Sequence, residues 1–310
     1  MKKKKKKNIL LVYIEYGIIM SIEGLIRLLP MNLCYFLAGI TARLIYIIDL
    51  KHRRRIIQHL MYAGIAKDKT EAAALARRNF EHFAKFAVEF VKCRQMITPD
   101  NIAGHVSFSG SEKSKSMFFS PGQSSQVIIV TSHTGNWELA GMIYTVFSGL
   151  PLLSVMRPFE NPKISDYVNG SRSRHNHSVC PKLGALKHLY VALKKGSSIS
   201  ILSDQHASRN DGVETVFFGH PARTHASPAI LHLRTGIPIL VGATVKEADG
   251  FKYNVVLSEP IMYKPTDDKE GDIRSVAQLY TTEIEKVVAK YPEQWMWAHR
   301  RWLDINRGGR

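Results

Sequence analysis

A histidine and a carboxylate stand five positions apart near the middle of the chain, directly after an apolar segment. They are His133 and Glu138, and they follow the run QVIIVT at residues 126–131. On a regular helix this separation places two side chains about 140° apart, so the pair cannot share one helical face. With His133 in a strand-to-helix turn and Glu138 in the first helical turn, the carboxylate can instead reach the imidazole Nδ1 and fix its tautomer. Nε2 of His133 can then act as a general base, a role typically worth roughly 10²–10⁴-fold in rate.

Histidines followed five positions later by an acidic residue occur at three places in the chain. The pairs are His133/Glu138, His206/Asp211 and His299/Asp304. In a chain with 13 histidines and 26 acidic residues, about one such pair is expected by chance, so the spacing by itself does not identify a site. The first pair alone follows a predicted buried strand and precedes a helix that begins beside a glycine. His206 and His299 are therefore interpreted as core or capping histidines.

The segments around the first pair alternate between strand and helix patterns. Periodicity predicts helices over residues 70–93, 136–146, 183–195, 228–235 and 273–290. Runs rich in β-branched residues predict strands over residues 105–109, 126–131, 152–156, 198–202, 237–245 and 253–257. This alternation indicates an α/β fold with a mixed, largely parallel sheet flanked by helices. Because such sheets bind ligands at the carboxyl ends of their strands, the turn after residue 131 is the favoured place for chemistry.

The amino-terminal region has the composition of a membrane anchor. Six lysines, residues 2–7, precede an apolar stretch over residues 8–30, and no small-residue cleavage site follows, so a removable signal peptide is not predicted. The charged residues within the stretch, Glu15, Glu23 and Arg27, fall within about 120° of helical arc. Because carboxylates are costly at the centre of a bilayer, a helix that lies in the interface or leans on a second helix is favoured over a lone span. The length still permits a tilted span.

A second apolar stretch, residues 33–50, ends at the basic sequence KHRRR. Lysines and arginines near an anionic leaflet contribute roughly 1 kcal/mol each and favour the cytoplasmic side of a membrane. We therefore predict a membrane-anchoring segment over residues 1–55, with a membrane-associated helix at the amino terminus, and an α/β domain over residues 56–310.

Charge and cysteine content limit the partners and cofactors. Lysine and arginine total 43 against 26 acidic residues, a formal net charge of +17, which predicts an anionic partner such as phospholipid, phosphorylated glycolipid, acidic protein or nucleic acid. The basic residues are spread along the chain rather than interleaved with aromatics in a recognised module, which disfavours nucleic acid. Three cysteines without a CxxC pair exclude a disulfide scaffold and a Cys-rich zinc site. No HExxH frame, P-loop or GxGxxG after a strand occurs, so no metal and no cofactor are predicted.

Four stretches of the chain together form a recognisable pattern. They are SHTGNWELAG (132–141), LSDQ (202–205), VFFGHPARTHASPAILHLRTGIPIL (216–240) and YPEQWMWAHRRW (291–302). In order and spacing they resemble the bacterial lipid A biosynthesis acyltransferases, the late lauroyl/myristoyl family, over residues 10–305. Members of that family are inner-membrane proteins that transfer an acyl chain from acyl carrier protein to a hydroxyl of a phosphorylated glycolipid. The resemblance implies the same donor and acceptor, an anionic membrane, and a place at the cytoplasmic face of the bacterial inner membrane.

The resemblance also implies roles for particular residues. The family's His-x4-acid pair falls on His133 and Glu138, which then carry the catalytic roles, and its Asp-Gln pair falls on Asp204 and Gln205.

The family's arginine, which would bind substrate or the oxyanion, most resembles Arg172, with Arg174 as a near competitor. Two departures from the family pattern surround this assignment. Met156 precedes Arg157 where the family has a tyrosine, and residues 172–176 lack the glycine that follows the arginine pair.

Acyl transfer from a thioester fits the chemistry of these residues. The thiol is already a good leaving group, so no enzyme nucleophile is needed, and no Gly-x-Ser-x-Gly elbow occurs. The acceptor hydroxyl must lose a proton, which is the work expected of His133. The negative charge that develops on the thioester oxygen requires donors, which Arg172 or the N–H groups of Gly135 and Asn136 would supply.

Other residues are expected to hold the two substrates. The arginines that would bind acceptor phosphates through forked hydrogen bonds are Arg157, Arg174, Arg209 and Arg223. Phe217 and Phe218 are predicted to line the acyl channel.

Two alternative functions remain open from the sequence. The same His-x4-acid chemistry would acylate another lipid acceptor, such as a lysophospholipid or a phosphatidylinositol mannoside. A basic, membrane-attached binding protein would explain the net charge without any catalysis.

Overall fold

The computed structural model describes residues 8–119, 125–172, 175–248 and 250–302, and at residues 171, 172 and 248 it describes the backbone alone. The helices are α1 (Ile9–Leu28), α2 (Met31–Ile48), α3 (Leu50–Tyr62), α4 (Lys69–Met96), α5 (Glu112–Phe119), α6 (Trp137–Ser148), α7 (Pro162–Arg172), α8 (Ala185–Lys194), α9 (Ser227–Thr235) and α10 (Lys269–Lys290). The strands are β1 (Val106–Ser109), β2 (Ile128–Thr131), β3 (Leu152–Met156), β4 (His177–Pro181), β5 (Ser198–Leu202), β6 (Gly212–Phe217), β7 (His220–His225), β8 (Ile239–Ala248) and β9 (Lys252–Leu257). Short 3₁₀ helices cover Ile102–Gly104 and Pro292–Gln294.

Seven of the strands form one sheet, in the order β1-β9-β8-β2-β5-β3-β4. Neighbouring strands run parallel, apart from the antiparallel pair β8 and β9. Strands β6 and β7 form a separate antiparallel hairpin. The prediction of an α/β fold with a mixed, largely parallel sheet flanked by helices is confirmed.

Strand β2 lies at the centre of the sheet, between β5 and β8, and all four of its residues are buried. Ile128 and Val130 pack into a core with residues of α8, α9 and α10, whereas Ile129 packs on the other face with residues of α6 and the end of α4. A strand covered on both faces needs an uninterrupted apolar run, which is what the sequence provides. The strand ends are therefore the accessible part of the sheet.

Strands 152–156 and 198–202 have the predicted bounds, whereas α5, α7, β4 and the β6–β7 hairpin have no counterpart in the sequence expectations. Strand β4 lies at the end of the sheet and pairs with β3 alone. Its sequence HSVCP carries polar residues because an edge strand is only partly covered, so the apolar pattern of a strand is weak there.

Two apolar helices, α1 and α2, lie at the amino-terminal end of the described residues and correspond to the two apolar stretches of the sequence. Both α1 and α2 are long and apolar enough to cross a membrane, a property that buried core helices and signal sequences share. Small residues of α2, namely Cys34, Ala38 and Ala42, are buried, and the first two form a core cluster with Val88 of α4. The six lysines lie outside the described residues, and the division predicted at residue 55 falls inside α3.

The charged residues of α1 contact the α/β domain. Glu23 is buried and accepts hydrogen bonds from Arg27 and from Tyr167 of α7. Lys92 of α4 donates to the Leu29 carbonyl at 2.6 Å and so binds the carboxyl end of α1. These contacts turn the polar side of α1 inward and leave its apolar side exposed, with Ile14, Ile18 and Ile22 at 49%, 55% and 55% of full exposure.

Candidate active site

The turn between β2 and α6 is held by backbone hydrogen bonds from two other segments. Gly135 N donates to Gln294 O at 3.1 Å, and Asn136 N donates to Thr244 O at 2.7 Å. Gly135 has a φ of +62°, and a Cβ there would lie 2.0 Å from the Thr244 carbonyl oxygen, so the turn requires glycine. Asn136 caps α6 through its side-chain oxygen, which accepts from Leu139 N at 3.1 Å. The two residues that follow His133 and Thr134 are therefore held in place by the segments around residues 244 and 294.

His133 and Asp204 occupy equivalent positions beyond two neighbouring strands. Thr131 at the end of β2 pairs with Leu202 at the end of β5, and each functional residue lies two positions further along. His133 Nδ1 is 2.8 Å from Asp204 Oδ1, and the His133 N–H donates to Asp204 Oδ2 at 2.9 Å. The indole Nε1 of Trp295 donates to the same Oδ2 at 2.8 Å. Strand register thus brings the imidazole of His133 and the carboxylate of Asp204 together.

The Asp204 carboxylate is ionised despite its burial. Burial alone would raise its pKa, but the charge that His133 can carry and the hydrogen bonds from His133 and Trp295 lower the pKa of Asp204 to about 2. Because an ionised carboxylate only accepts hydrogen bonds, Nδ1 of His133 donates to Asp204, and in the neutral imidazole this leaves the lone pair on Nε2. This is the tautomer that a general base requires.

Two further side chains confine the His133 imidazole. The Trp137 ring stands edge to face against it, with the ring centres 5.2 Å apart. Gln205 Nε2 lies 3.3 Å from Nδ1 and 3.4 Å from Nε2 of the imidazole. The buried guanidinium of Arg301 donates to the Gln205 carbonyl at 3.1 Å and so fixes this residue. A side-chain amide donor therefore lies beside the atom that would receive a proton.

The role expected of Glu138 as the partner of Nδ1 is corrected by these contacts. Glu138 does lie in the first turn of α6, but the group that meets Nδ1 is Asp204, because β5 is in register with β2. Glu138 Oε1 accepts from Trp137 Nε1 at 3.1 Å. Glu138 also lines two small cavities beside α6, of about 100 and 60 Å³.

His133 lies on the wall of a basic cleft of about 990 Å³. The cationic residues of its lining are Arg157, Lys182, Arg209, Arg223 and Arg274, and the acidic ones are Asp211, Glu214 and Glu270. Lys182 lies 3.8 Å from Asp211, and Arg223 lies 3.0 Å from Glu214.

The remaining three arginines, Arg157, Arg209 and Arg274, are exposed, and within the described parts of the chain no carboxylate pairs with them. Counting the described residues alone, the cleft that His133 lines thus presents three guanidinium groups without a carboxylate partner.

The structure bears on some of the oxyanion donors predicted from the sequence and not on others. The N–H groups of Gly135 and Asn136 are already bonded to backbone carbonyls, so the structure does not support that role for them. Arg172 ends α7, and its side chain lies outside the described residues, as does the whole of Arg174. The substrate-binding roles of these two arginines stay predictions.

Phe217 and Phe218 lie in the core behind the site, which corrects their assignment to an acyl channel. Phe217 is fully buried, with the ring centres of Trp295 and Trp302 each 5.6 Å away. Phe218 packs against the same core cluster, and its N–H donates to Glu285 of α10. Strand β6 places the Phe217 ring against Trp295 and Trp302, whereas Phe218, in the turn after β6, packs against Trp297 with the ring centres 6.3 Å apart.

Trp295 and Arg301 contact the site, although the sequence did not place them there: an interfacial belt or helix-end packing was the role it suggested for this segment. Arg301 is 1% exposed and also donates to the Arg223 carbonyl at 2.8 Å and to Thr224 Oγ1 at 2.7 Å. Burial lowers the pKa of Arg301 to about 10, which leaves it charged at neutral pH. The sequence signal was the segment WMWAHRRW, in which three tryptophans lie close to two arginines. Large aromatic side chains in such a segment favour a buried position over a fully solvated one.

Cysteine and metal chemistry find little support in the described residues. Cys34, Cys93 and Cys180 are buried, and burial, followed by the charge of Glu89, raises the pKa of the Cys93 thiol to about 12. Within the described ranges, no group of three His, Cys, Asp or Glu side chains is placed to hold a metal ion.

Known proteins share this sequence pattern. The lipid A biosynthesis lauroyltransferase of Escherichia coli K12 is 29% identical over 159 residues, which cover 51% of this chain and 50% of the relative. The lipid A biosynthesis palmitoleoyltransferase of the same organism is 26% identical over 181 residues, or 58% of this chain and 56% of the relative. A phosphatidylinositol mannoside acyltransferase of Mycobacterium tuberculosis CDC 1551 is 24% identical over 188 residues, or 59% and 57%.

The chain thus spans about half the length of the curated relatives it matches. The family model for bacterial lipid A biosynthesis acyltransferases, however, matches residues 1–304. With nearly the whole chain covered by that model, this protein belongs to the bacterial lipid A biosynthesis acyltransferase family.

Proposed function

We propose that the protein is a membrane-bound O-acyltransferase that moves a fatty acyl chain from acyl carrier protein to a hydroxyl of a phosphorylated glycolipid, a lipid A precursor. The observation that carries this proposal is the His133–Asp204 pair on the wall of a basic cleft. The membership of the chain in an acyltransferase family supports the reaction type.

In this mechanism His133 Nε2 takes the proton of the acceptor hydroxyl as its oxygen attacks the thioester carbon. Asp204 stabilises the imidazolium that forms. The carbon–sulfur bond then breaks, and the departing thiolate takes the proton back from His133. The carbonyl oxygen gains negative charge in the transition state, and the Gln205 amide, whose nitrogen lies 3.4 Å from His133 Nε2, would donate a hydrogen bond to it.

An assay with radiolabelled acyl groups tests the proposal. The purified protein is incubated with acyl-acyl carrier protein or with acyl-coenzyme A, and with a lipid A precursor, a lysophospholipid or a phosphatidylinositol mannoside as acceptor. We expect label in the lipid A precursor with the carrier-protein donor. Label in the mannoside would instead support the alternative that the mycobacterial relative suggests. A protein that binds these lipids without transferring label would contradict the enzymatic function.

The unpaired arginines of the cleft are proposed to bind acceptor phosphate. Hydrogen bonds to charged groups contribute about 1.5–3 kcal/mol, so Arg157→Ala and Arg209→Ala should each raise the KM for the acceptor roughly 10-fold or more, with kcat near that of the wild type. Arg234→Ala removes an equal charge from an exposed position outside the cleft and serves as the control. Equal KM values in all three variants would contradict the proposal that the acceptor phosphate binds in this cleft.

We also propose that α1 and α2 attach the protein to the cytoplasmic face of the bacterial inner membrane, with the lysines at residues 2–7 against anionic lipid. Replacing Ile14, Ile18 and Ile22 by asparagine should lower the fraction that sediments with anionic vesicles, because these side chains are exposed and apolar. Neutralising the lysines should weaken binding in a salt-dependent way. Sedimentation unchanged by the triple substitution would exclude this face of α1 as the anchor.

A further inference from the structure

A buried polar cluster connects the apolar helix α2 to the turn that carries His133. This Glu89 cluster consists of Tyr35, Glu89, Asn136, Lys246 and Tyr253. Glu89 Oε1 accepts from Tyr35 Oη at 2.7 Å and from Lys246 Nζ, and Oε2 accepts from Tyr253 Oη at 2.7 Å. Asn136 Nδ2 donates to Tyr253 Oη at 3.2 Å. Hydrogen bonds therefore run without a break from α2 to the residue that caps α6.

A second connection joins the cluster to the same turn. Gln294 brackets the Lys246 backbone, accepting from its N–H at 2.8 Å and donating to its carbonyl at 2.9 Å. The carbonyl of Gln294 in turn accepts from Gly135 N at 3.1 Å. The Glu89 cluster thus reaches two successive residues of the turn, Gly135 and Asn136, directly after His133 and Thr134.

The side chains of the Glu89 cluster are buried, so the loss of one of its hydrogen bonds is costly. Glu89 is 2% exposed, Tyr253 is fully buried, and the Lys246 side chain is 11% exposed. In such surroundings the loss of one partner leaves the remaining charge poorly compensated, and the neighbouring groups shift to compensate. Tyr35, Glu89, Lys246 and Tyr253 do not line the cleft at His133, so they act on the reaction through the turn and not through substrate contact.

We propose that Tyr35 is a positioning residue for His133. Its hydroxyl orients the Glu89 carboxylate, which holds Tyr253 and, through it, the Asn136 side chain. The proposal rests on the acyltransferase function proposed above, in which His133 is the base. Leu37 and Leu44, on the side of α2 opposite Tyr35, are exposed. Because α2 is one of the two helices proposed to attach the protein to the membrane, the position of α2 and the alignment of the turn are linked.

The test removes single hydroxyl groups. Tyr35→Phe should lower kcat roughly 10-fold, the equivalent of one hydrogen bond to a charged group, while the KM values for donor and acceptor stay within about 2-fold of the wild type. Tyr46→Phe is the matched control, because Tyr46 lies on the same helix and its hydroxyl contacts the Ala73 carbonyl at 3.4 Å, outside the cluster. Tyr253→Phe should reproduce the loss, and the double variant should lose less than the product of the two single effects because both act through Glu89.

Amide hydrogen exchange supplies a readout that does not depend on transfer. Exchange at residues 134–138 should accelerate in Tyr35→Phe and stay at the wild-type rate in Tyr46→Phe. A wild-type kcat and wild-type exchange in Tyr35→Phe would overturn the proposal, as would an equal loss in the Tyr46 control. If the wild-type protein transfers no acyl group, the proposed function fails while the exchange experiment still decides whether Tyr35 positions the turn.

Discussion

Replacing His133 by alanine is expected to lower kcat for acyl transfer by roughly 10²–10⁴-fold, the range for loss of a general base. Without the imidazole, the acceptor hydroxyl must lose its proton to water. The fold should persist, since Asp204 keeps hydrogen bonds from the residue 133 N–H and from Trp295 Nε1. Single-turnover transfer of labelled acyl groups by the purified variant measures the loss.

Two measurements separate loss of the base from loss of structure. Added imidazole should restore part of the activity of His133→Ala by taking the vacated position. His188→Ala removes an exposed imidazole from α8 and should transfer at the wild-type rate. Wild-type turnover by His133→Ala would exclude this residue as the base.

Replacing Asp204 by asparagine should cost about as much as losing the base, on the order of 10³–10⁴-fold in kcat. An amide can donate to Nδ1, which shifts the ring proton to Nε2 and leaves no lone pair for the acceptor hydroxyl. Glu138→Gln should keep at least about 10-fold more activity than Asp204→Asn, because Nδ1 retains its carboxylate. Measurements of kcat on the two variants in parallel test this ranking. A larger loss in Glu138→Gln than in Asp204→Asn would indicate that Glu138, and not Asp204, orients the His133 imidazole.

The same substitution should change the pH dependence of stability. The pKa of Asp204 in the folded protein, about 2, lies below its ordinary value of 3.8, so the carboxylate stabilises the fold above about pH 4. That contribution is lost as the pH falls from about 4 towards 2. Asp204→Asn should therefore flatten this part of the curve of unfolding free energy against pH, as measured by denaturant titration.

The sheet was predictable because its central strands are continuous β-branched runs, as in β2. The position of His133 followed from the same run, since the turn after a buried strand is where α/β sheets place ligands. Its partner did not follow, because a spacing of five residues suggested Glu138, whereas Asp204 is 71 residues away and meets His133 through strand register. Register between strands that are distant in sequence is a property of the assembled sheet.

The error at Phe217 has a different origin. Two phenylalanines near a predicted strand end can face a channel or a core, and composition alone does not choose between them. The hairpin of β6 and β7 decides, because it packs against α10 and brings Phe217 to Trp295 and Trp302. Trp295 contributes to the same core through its ring and to the site through its Nε1.

The proposed catalytic pair, His133 and Asp204, depends on residues 294–301, which are synthesised late. Trp295 supplies a donor to Asp204, Gln294 supplies the acceptor for Gly135, and Arg301 fixes Gln205. At roughly 5–20 residues per second, these residues emerge on the order of ten seconds or more after α1 and α2. A nascent chain therefore exposes its apolar helices well before the candidate site can be completed, so the proposed attachment to the membrane would precede the proposed acyl transfer.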